Sequence, residues 1–430
     1  MFVRAAYPEV AAIACAPGVL WSIDGWIRSG LAKYLVLLAV LLGVMLVCHL
    51  PTCLIFLPVF SAFALYGLIT TRTTLRPALF LVAAAAAGLG MSAFYVWPAL
   101  RERPYVQMSA LTRDYFDFHK HFVYPVQWLQ YRWGYGGSVP GPHDQLSLQI
   151  GIVQWAAIAG ALLCAAAPVR RRIAGSTKPL LLWLVVVGFA MFMMTSASVA
   201  LWNHIAPLAY LQFPWRFSML ITVAAAVLTA RLLASIGNPR TRAVVALAVV
   251  VAQIQFSHGY LAPSRYVPEF LMDIDLPGWC ASGVGHELAF TEKGYDPVEV
   301  RRPAPGGIGR WTLTNGRGDV RELKVEDDRV LLEAKAETPI TLTINSRDFP
   351  GWRVLMDGSD VPFETQPDYG YIVVQVPAGR HRIDAELTNT RVRADADAVS
   401  AISAAGVMAF ALFSIRRRSP GDVHASRAGC

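Results

Sequence analysis

The feature that most constrains this chain is a series of long apolar stretches with almost no charge. Several run for 18 residues or more, the length that an α-helix needs to cross the hydrocarbon core of a bilayer. A soluble chain of 430 residues would instead alternate apolar and polar faces. Apolar residues make up 55% of the sequence and charged residues only 16%. The sequence therefore predicts a multi-spanning membrane protein.

The hydropathy pattern predicts eight membrane spans. They are residues 33–50, 53–69, 78–100, 149–169, 179–201, 217–236, 242–256 and 398–415. A ninth apolar stretch, residues 9–26, is interrupted by Pro17, Gly18 and Asp24. We expect this stretch either to span the bilayer or to lie in its interface.

The distribution of Lys and Arg predicts the orientation, because short cytoplasmic loops retain basic residues. When the spans are followed in order, one set of connections holds 14 basic residues and only two acidic ones, Asp24 and Asp422. We assign this set to the cytoplasm, together with the C-terminal tail, residues 416–430. The alternate connections, including the loop 101–148 and the domain 257–397, are then extracytoplasmic.

The net charge of +8 does not indicate a nucleic-acid partner. The basic excess lies in the connections assigned to the cytoplasm, where topology explains it. The domain before the last span, counted over residues 258–397, carries 16 basic and 23 acidic residues and is net negative. A nucleic-acid-binding domain would show a basic patch or stripe.

Residues 257–397 have the pattern of a β domain. Short alternating segments such as "RVLLEAK" and "GYIVVQVPAG" are separated by turn residues, including the hairpin signal Asp357–Gly358. The predicted fold is thus an all-α membrane bundle with an extracytoplasmic β-sandwich inserted before the last helix. The domain boundaries are 1–256 for the bundle, 257–397 for the β domain, 398–415 for the last span and 416–430 for the tail.

The loop 101–148 is the first candidate site. It holds ten aromatic residues and three histidines in 48 residues. If its segment "RDYFDFHKHF" is helical, Asp114, Asp117 and His121 fall on one face, where they can supply a general base or hold a divalent ion. His119 lies in the same segment. The alternative is an interfacial segment with aromatic rings among the lipid headgroups.

The segment "LQFPWRFSML" is the second candidate. Pro214 suits the first turn of a span, and Arg216 follows at the positive end of the helix dipole. A cation is unfavourable there unless an anion is bound, which predicts an anion site. The alternative is an interface anchor formed by Trp215 and Arg216. His49 is expected to cap the end of a span.

Several motifs together resemble a known family. They are "VRAAYPE", the "HLP" hairpin, "FVYPVQWLQYRWGYGGSVPG", "LQFPWRF" and "FPGWRVLMDG" followed by "VPAGRHRI". They resemble a bacterial family of polytopic membrane proteins that carries the label "6-pyruvoyl-tetrahydropterin synthase-related domain". The plan is also similar to that of the C superfamily of membrane glycosyltransferases (GT-C). Nothing in the sequence indicates the His-liganded zinc of a pterin synthase.

The resemblance implies an enzyme of the bacterial inner membrane. Its donor would be a polyprenyl-phosphate-linked sugar, its acceptor an envelope glycan, and it would need no resident cofactor, with a divalent cation left open. In the resemblance the catalytic acidic residue lies in the first outer loop, which we expect upstream of this sequence, and the substitutes that this sequence offers are Asp114, Asp117 and Glu9. The implied substrate-binding residues are Arg4 and Arg216 for phosphate, Trp133 and Tyr135 for stacking on sugar, and His49, His119 and His121.

Two other classes remain open from the sequence. A non-catalytic scaffold would use its β domain to bind glycan or a protein partner. A transporter is less favoured, because the spans carry almost no ionisable groups. The resemblance also leads us to expect further spans upstream, with an acidic residue in the first outer loop.

The predicted orientation is testable with reporter fusions. A periplasm-active reporter fused after Gly137 or Gly370 should give signal, and one fused after Arg172 should give none, since the first two positions are predicted outside and the third inside. Reporter activity after Arg172 and no activity after the two glycines would place every candidate site on the cytoplasmic side of the membrane instead.

Overall fold

A computed structural model describes residues 6–72, 75–106, 108–130, 137–144, 146–166, 178–258, 310–326, 328–367 and 370–416. The helices in these ranges are α1 Tyr7–Ser29, α2 Lys33–Cys48, α3 Leu50–Thr70, α4 Leu75–Met91, α5 Ala93–Arg101, α6 Ile152–Ala165, α7 Lys178–Met194, α8 Val199–His204, α9 Ala206–Ala209, α10 Ser218–Ala234, α11 Pro239–Ser257 and α12 Arg391–Arg416. Short 3-10 turns occur in the loop between α5 and α6 and before α8 and α10.

Long apolar helices dominate the described part of the chain. Five have the length and composition of a membrane span, and the number rises to seven if each of two interrupted pairs is one span. The predicted multi-pass character is therefore confirmed at this level. The apolar stretch 9–26, which is expected either to span the bilayer or to lie in its interface, belongs to the continuous 23-residue helix α1.

Two predicted spans differ from continuous helices. Residues 78–100 are divided at Ser92, whose hydroxyl donates to the Leu89 carbonyl, a side-chain bond that competes with the helical backbone. Residues 179–201 bend by 87° after Met194. The bend begins at Thr195, which has an extended backbone conformation. The helices α2 and α6 are apolar but have only 16 and 14 residues.

Small residues let α2 and α4 approach closely. A Cβ atom added to Gly88 would lie 2.6 Å from the backbone oxygen of Ala39 and 3.1 Å from Cβ of Leu42. Gly43 faces the Gly88 carbonyl from the other helix. Gly88 ends a run of small residues, 82–88, and small residues that let two backbones approach are the usual basis of helix association in lipid.

The helical unit comprises residues 1–93, 112–266 and 399–430. Its described core joins buried side chains of α1, α2, α3, α6, α7 and α10, and it includes Phe56, Trp202 and Leu228. Trp202 donates its indole N–H to the Met193 carbonyl at 3.2 Å, so the one polar group of this large buried side chain has a hydrogen-bond partner.

The second unit comprises residues 94–111 and 267–398. Its described strands are β1 Trp311–Asn315, β2 Gly318–Val325, β3 Arg329–Ala336, β4 Ile340–Arg347, β5 Trp352–Met356, β6 Ser359–Asp360, β7 Glu364–Thr365, β8 Tyr371–Val376 and β9 Gly379–Leu387. They form a four-stranded sheet in the order β1-β4-β8-β7 and a five-stranded sheet in the order β2-β3-β9-β5-β6. Every pairing of these strands is antiparallel.

Alternating burial explains why the two sheets share one core. In β3, Val330, Leu332 and Ala334 are fully buried, and in β8 Ile372 and Val374 are fully buried. These residues belong to a single hydrophobic cluster with side chains of β4, β5 and β9. The period of two matches the alternation seen in the sequence, so the predicted strands are confirmed.

The predicted hairpin turn at Asp357–Gly358 is also confirmed. Both residues have positive φ, 54° and 84°, as a type I′ turn requires, and Met356 pairs with Ser359. The Asp357 carboxylate accepts from the backbone N–H of Arg382 and from the His381 ring, and these bonds lower the pKa of Asp357.

A largely buried ion pair joins distant parts of the second unit. Arg393, in the first turn of α12, lies 3.0 Å from the Glu102 carboxylate, which also accepts from Thr390. Arg393 donates to the Pro350 carbonyl and lies 5.4 Å from the Phe349 ring centroid. Residues of the "FPGWR" motif thus contact the base of the last helix.

The close approach of α2 and α4 predicts a size limit at Gly88. Gly88→Ala should destabilise the protein by about 1–3 kcal/mol, because the new methyl group meets a backbone oxygen that cannot rotate away. Gly188→Ala in α7 is the matched control, since an added Cβ there has no atom within 4 Å. Denaturation in detergent measures both, and equal stability of the two variants would contradict the close packing.

Candidate functional site

The segment 211–217 forms a tight turn that leads into α10. Gln212 adopts a left-handed conformation with φ of 63°, which is uncommon for a residue other than glycine. Pro214 opens a 3-10 turn that continues into α10, as its fixed φ favours. The Leu211 carbonyl accepts from the backbone N–H of Phe213 within this turn. The predicted role of Pro214 as a helix start is confirmed.

Arg216 is held by its own segment. Its Nη1 donates to the Leu211 carbonyl at 2.8 Å, and its guanidinium carbon lies 5.2 Å from the centroid of the Phe213 ring. The Phe213 ring in turn stacks on Trp215, with centroids 5.1 Å apart. Half-buried Arg216 is therefore oriented by a carbonyl and an aromatic face, which limits the entropy lost when its fork binds a ligand.

Arg216 and Glu9 line the same cavity, of about 230 Å³. Its other described lining residues come from the first turns of α1 and α10 and the turn before α10: Ala6, Val10, Ile13, Trp215, Ser218, Met219 and Thr222. Glu9 belongs to the first turn of α1 and is only 6% exposed. Two of the predicted site residues, which are 207 positions apart in sequence, are thus brought together.

The chemistry of this cavity follows from its two charged groups. A guanidinium presents a planar set of donors that matches two phosphate oxygens. A carboxylate in a largely apolar cavity can accept a proton, and its charge matters more there than in water, because the local dielectric is low. The cavity therefore suits an anionic group placed beside a hydroxyl group.

The segment "RDYFDFHKHF" does not form the α-helix considered above. It consists of two 3-10 turns, Asp114–Phe116 and Phe118–Lys120. Asp114 is exposed and has a φ of 51°, and its backbone carbonyl accepts from Lys120. The i, i+3, i+7 face therefore does not exist, because a closely spaced run of aromatic residues packs in short turns instead.

Asp117 and His119 pair with each other. The two side chains are 2.7 Å apart, and the other ring nitrogen of His119 lies 3.1 Å from the side-chain oxygen of Asn203. Burial raises the pKa of the Asp117 carboxyl, but the hydrogen bonds from His119 outweigh it, so the pKa of Asp117 is lowered. Neither Asp114 nor Asp117 is among the described residues that line the cavity of Glu9 and Arg216.

His121 is buried in a polar network. Its Nδ1 lies 2.9 Å from Ser138 Oγ, and its Nε2 lies 2.5 Å from the Tyr115 carbonyl oxygen. Ser138 Oγ also lies 2.9 Å from Asp144. The single hydroxyl proton of Ser138 can serve either His121 or Asp144, but not both. Burial lowers the pKa of His121, and this outweighs the nearby acceptors.

Aromatic contacts connect this network to Arg216. Phe213 lies edge to face against His121, at 4.8 Å between centroids, and against Tyr115 at 5.9 Å. The same ring carries the cation–π contact with Arg216. The loop residues thus hold Phe213, and Phe213 helps to orient Arg216.

The remaining predicted residues fall into two groups. His49 ends α2 and begins α3, and its Nδ1 lies 2.7 Å from Thr52 Oγ1 and accepts from the Thr52 backbone N–H. Its side chain therefore caps the start of α3, and its backbone N–H donates to the Met45 carbonyl at the end of α2. Arg4, Trp133 and Tyr135 lie outside the described residues.

Sequence reasoning missed the partners Ser138 and Asp144. A lone serine and a lone aspartate separated by a Pro- and Gly-rich turn give no pattern, and only the fold brings them to His121. Within the described ranges, no group of three His, Cys, Asp or Glu side chains is arranged to hold a metal ion.

Comparison of the chain with protein-family models, with curated proteins and with solved structures finds no match.

The network around His121 predicts a pH dependence. Because the pKa of His121 is lowered in the folded state, the unfolded state binds more protons once the pH falls below about 6.5. The contribution of neutral His121 to stability is therefore complete above that pH and is lost progressively below it. An NMR titration of labelled histidines should give His121 a pKa below 6.5. A value above this would contradict the burial argument.

Proposed function

We propose that this protein is a GT-C-like membrane glycosyltransferase. It would act at the outer face of a bacterial inner membrane, taking sugar from a polyprenyl-phosphate donor and passing it to an envelope glycan. The observation that carries the proposal is the cavity shared by buried Glu9 and oriented Arg216 at the ends of two apolar helices. The family resemblance of the motifs that hold both residues adds to it.

The charge distribution supports the orientation that this function needs. If α1 spans the membrane, the positive-inside pattern puts the first turn of α1 outside, together with the start of α10. We count eight spans, or nine with α1, by including the two short apolar helices and treating each interrupted pair as one span. We further propose that the two sheets with their common core form an extracytoplasmic β-sandwich.

The proposed reaction gives each charged group one task. The Glu9 carboxylate accepts the proton of the acceptor hydroxyl, and the acceptor oxygen forms a bond to the anomeric carbon of the donor sugar. The bond between that carbon and the phosphate oxygen breaks. The released polyprenyl phosphate carries the electron pair, and Arg216 stabilises its negative charge. The proton on Glu9 then returns to water.

Glu9 is preferred to Asp114 and Asp117 as the base. Asp117 already accepts hydrogen bonds from His119, and its lowered pKa makes it a weaker proton acceptor. Asp114 is exposed and does not line the cavity. A base must lie within hydrogen-bond reach of the proton that it takes, so the residue beside the proposed phosphate site is the better candidate.

The alternative function is a non-catalytic membrane scaffold whose β domain binds glycan or a protein partner. The contacts of Arg216 with Leu211 and Phe213 are also compatible with a simple anchor in the membrane interface. We prefer the ligand-binding function because the same cavity also holds Glu9, an acidic group beside the proposed phosphate site.

Substitution of Arg216 tests the phosphate site. Binding of a short-chain prenyl phosphate to the purified protein should fall about 10- to 100-fold in Arg216→Gln, the effect of losing charge-assisted hydrogen bonds. Arg216→Lys should bind with intermediate affinity, because it keeps the charge and loses the planar fork. Isothermal titration in detergent measures all three proteins.

Arg231→Gln is the matched control, because Arg231 is an exposed arginine near the other end of the same helix. It should bind prenyl phosphate as the parent does. Equal affinity of the parent, Arg216→Lys and Arg216→Gln, with all proteins folded, would show that Arg216 is an anchor and would remove the phosphate site from the proposal.

A further inference from the structure

A second cavity, of about 220 Å³, lies beside the start of α10. Its described lining residues come from the segment before α6 and from α6, α10 and α11: Ser147, Gln149, Ile150, Gly151, Ile152, Val153, Gln154, Ser218, Ile221, Thr222, Gln253, Phe256 and Ser257. The first turn of α6, the first turns of α10 and the end of α11 meet here. The cavity therefore lies at the same end of α10 as the cavity of Glu9 and Arg216.

The polar groups of this second cavity are amides and hydroxyls. None of its described lining residues carries a charge. Gln154 donates to Gln253 at 3.3 Å, and Gln253 donates to Ser257 at 2.7 Å, so the amides are held in a fixed chain. The Ser147 hydroxyl and the Gln154 side-chain oxygen are buried without a hydrogen-bond partner among the described residues. Buried polar atoms of this kind call for a polar ligand or water.

The two cavities are neighbours. Ser218 and Thr222 line both of them and form one stripe along α10, since they are four residues apart. Met219, on one side of the stripe, lines the cavity of Glu9 and Arg216, and Ile221, on the other side, lines the second cavity. On α10, only these small hydroxyl side chains lie between the two cavities.

We infer that the second cavity binds an uncharged sugar ring, the one attached to the phosphate that Arg216 binds. This inference rests on the proposed function and adds the substrate class: a neutral hexose, rather than a uronic acid or a sugar with a free amino group. The glutamine and serine groups would bond to the sugar hydroxyls, and Phe256 would cover an apolar face of the ring.

Size and charge both favour this class. The cavity is smaller than the roughly 300–1,000 Å³ typical of sites for drug-sized ligands, so it suits one ring and not an oligosaccharide. A carboxylate or ammonium on the sugar would find no compensating charge on the described lining. Neutral amides and hydroxyls satisfy hydroxyl groups without such a charge.

The test compares prenyl phosphate with its glycosides. The probes are a short-chain prenyl phosphate and its glucosyl, mannosyl, galactosyl and glucuronosyl derivatives. The full-length protein is purified in a detergent without a sugar headgroup, because a sugar headgroup would compete. We expect the best neutral hexose to raise affinity about tenfold over prenyl phosphate alone, the effect of one or two net hydrogen bonds. The glucuronosyl derivative should gain nothing.

Gln253→Leu should remove the tenfold gain and leave the affinity for prenyl phosphate itself within about twofold of the parent. Gln255→Leu is the matched control, because Gln255 is exposed on the same helix and does not line the cavity. This control should keep the gain.

The outcomes separate the two claims. Suppose that prenyl phosphate binds through Arg216. If no neutral hexose then adds affinity, or if the glucuronosyl derivative binds as well as the best hexose derivative, the sugar inference is overturned. The phosphate site stands in both cases. A gain that survives in Gln253→Leu also overturns the sugar inference. If prenyl phosphate does not bind the parent at all, the proposed function fails and this inference fails with it.

Discussion

The placement of two opposite charges, one largely buried and one half-buried, in a single cavity is the feature that shapes the candidate site. Moving a carboxylate or a guanidinium out of water is costly, so such groups are usually paired, hydrogen-bonded or in contact with a ligand. Here the carboxylate of Glu9 is almost fully buried at the start of α1, and half-buried Arg216 lines the same cavity from the start of α10. In the proposed reaction, Arg216 faces the phosphate of the donor and Glu9 faces the hydroxyl of the acceptor.

The surrounding structure orients these charges. The turn at Gln212 presents the Leu211 carbonyl to Arg216, and the ring of Phe213 lies under the guanidinium. Phe213 is itself packed against His121 and Tyr115 of the long loop. The long loop, whose composition predicts a catalytic element, thus also packs against the ring that lies under Arg216. Asp117 pairs with His119, His119 also lies beside Asn203, and His121 lies within hydrogen-bond distance of Ser138.

Much of the fold could be predicted from the sequence because its signals are local. Apolar length predicted the helices, period-two alternation predicted the strands, and Pro214 predicted the start of α10. The breaks at Ser92 and Thr195 could not be predicted, because a single polar residue inside an apolar run carries no strong signal. The pattern of three residues on one helical face failed because the segment is not an α-helix.

The candidate site was predictable only in part. Glu9 and Arg216 were recognised as separate candidates, but their proximity is a consequence of how α1 and α10 pack. Glutamine residues at the ends of apolar helices line the neutral cavity, but they carry no charge and so do not stand out in the sequence as candidate site residues. Ser138 and Asp144 gave no signal, since their role depends on a buried histidine 17 and 23 positions away.

The most direct test of the central claim is sugar transfer by Glu9→Gln. This variant keeps the shape of the side chain and loses its ability to accept a proton. With a glycosyl prenyl phosphate as donor, we expect the rate of labelled sugar transfer to be about 10²- to 10⁴-fold lower, which is the usual contribution of a general base. Donor binding should stay close to that of the parent. A Glu9→Gln protein that transfers sugar at the parent rate would contradict the account.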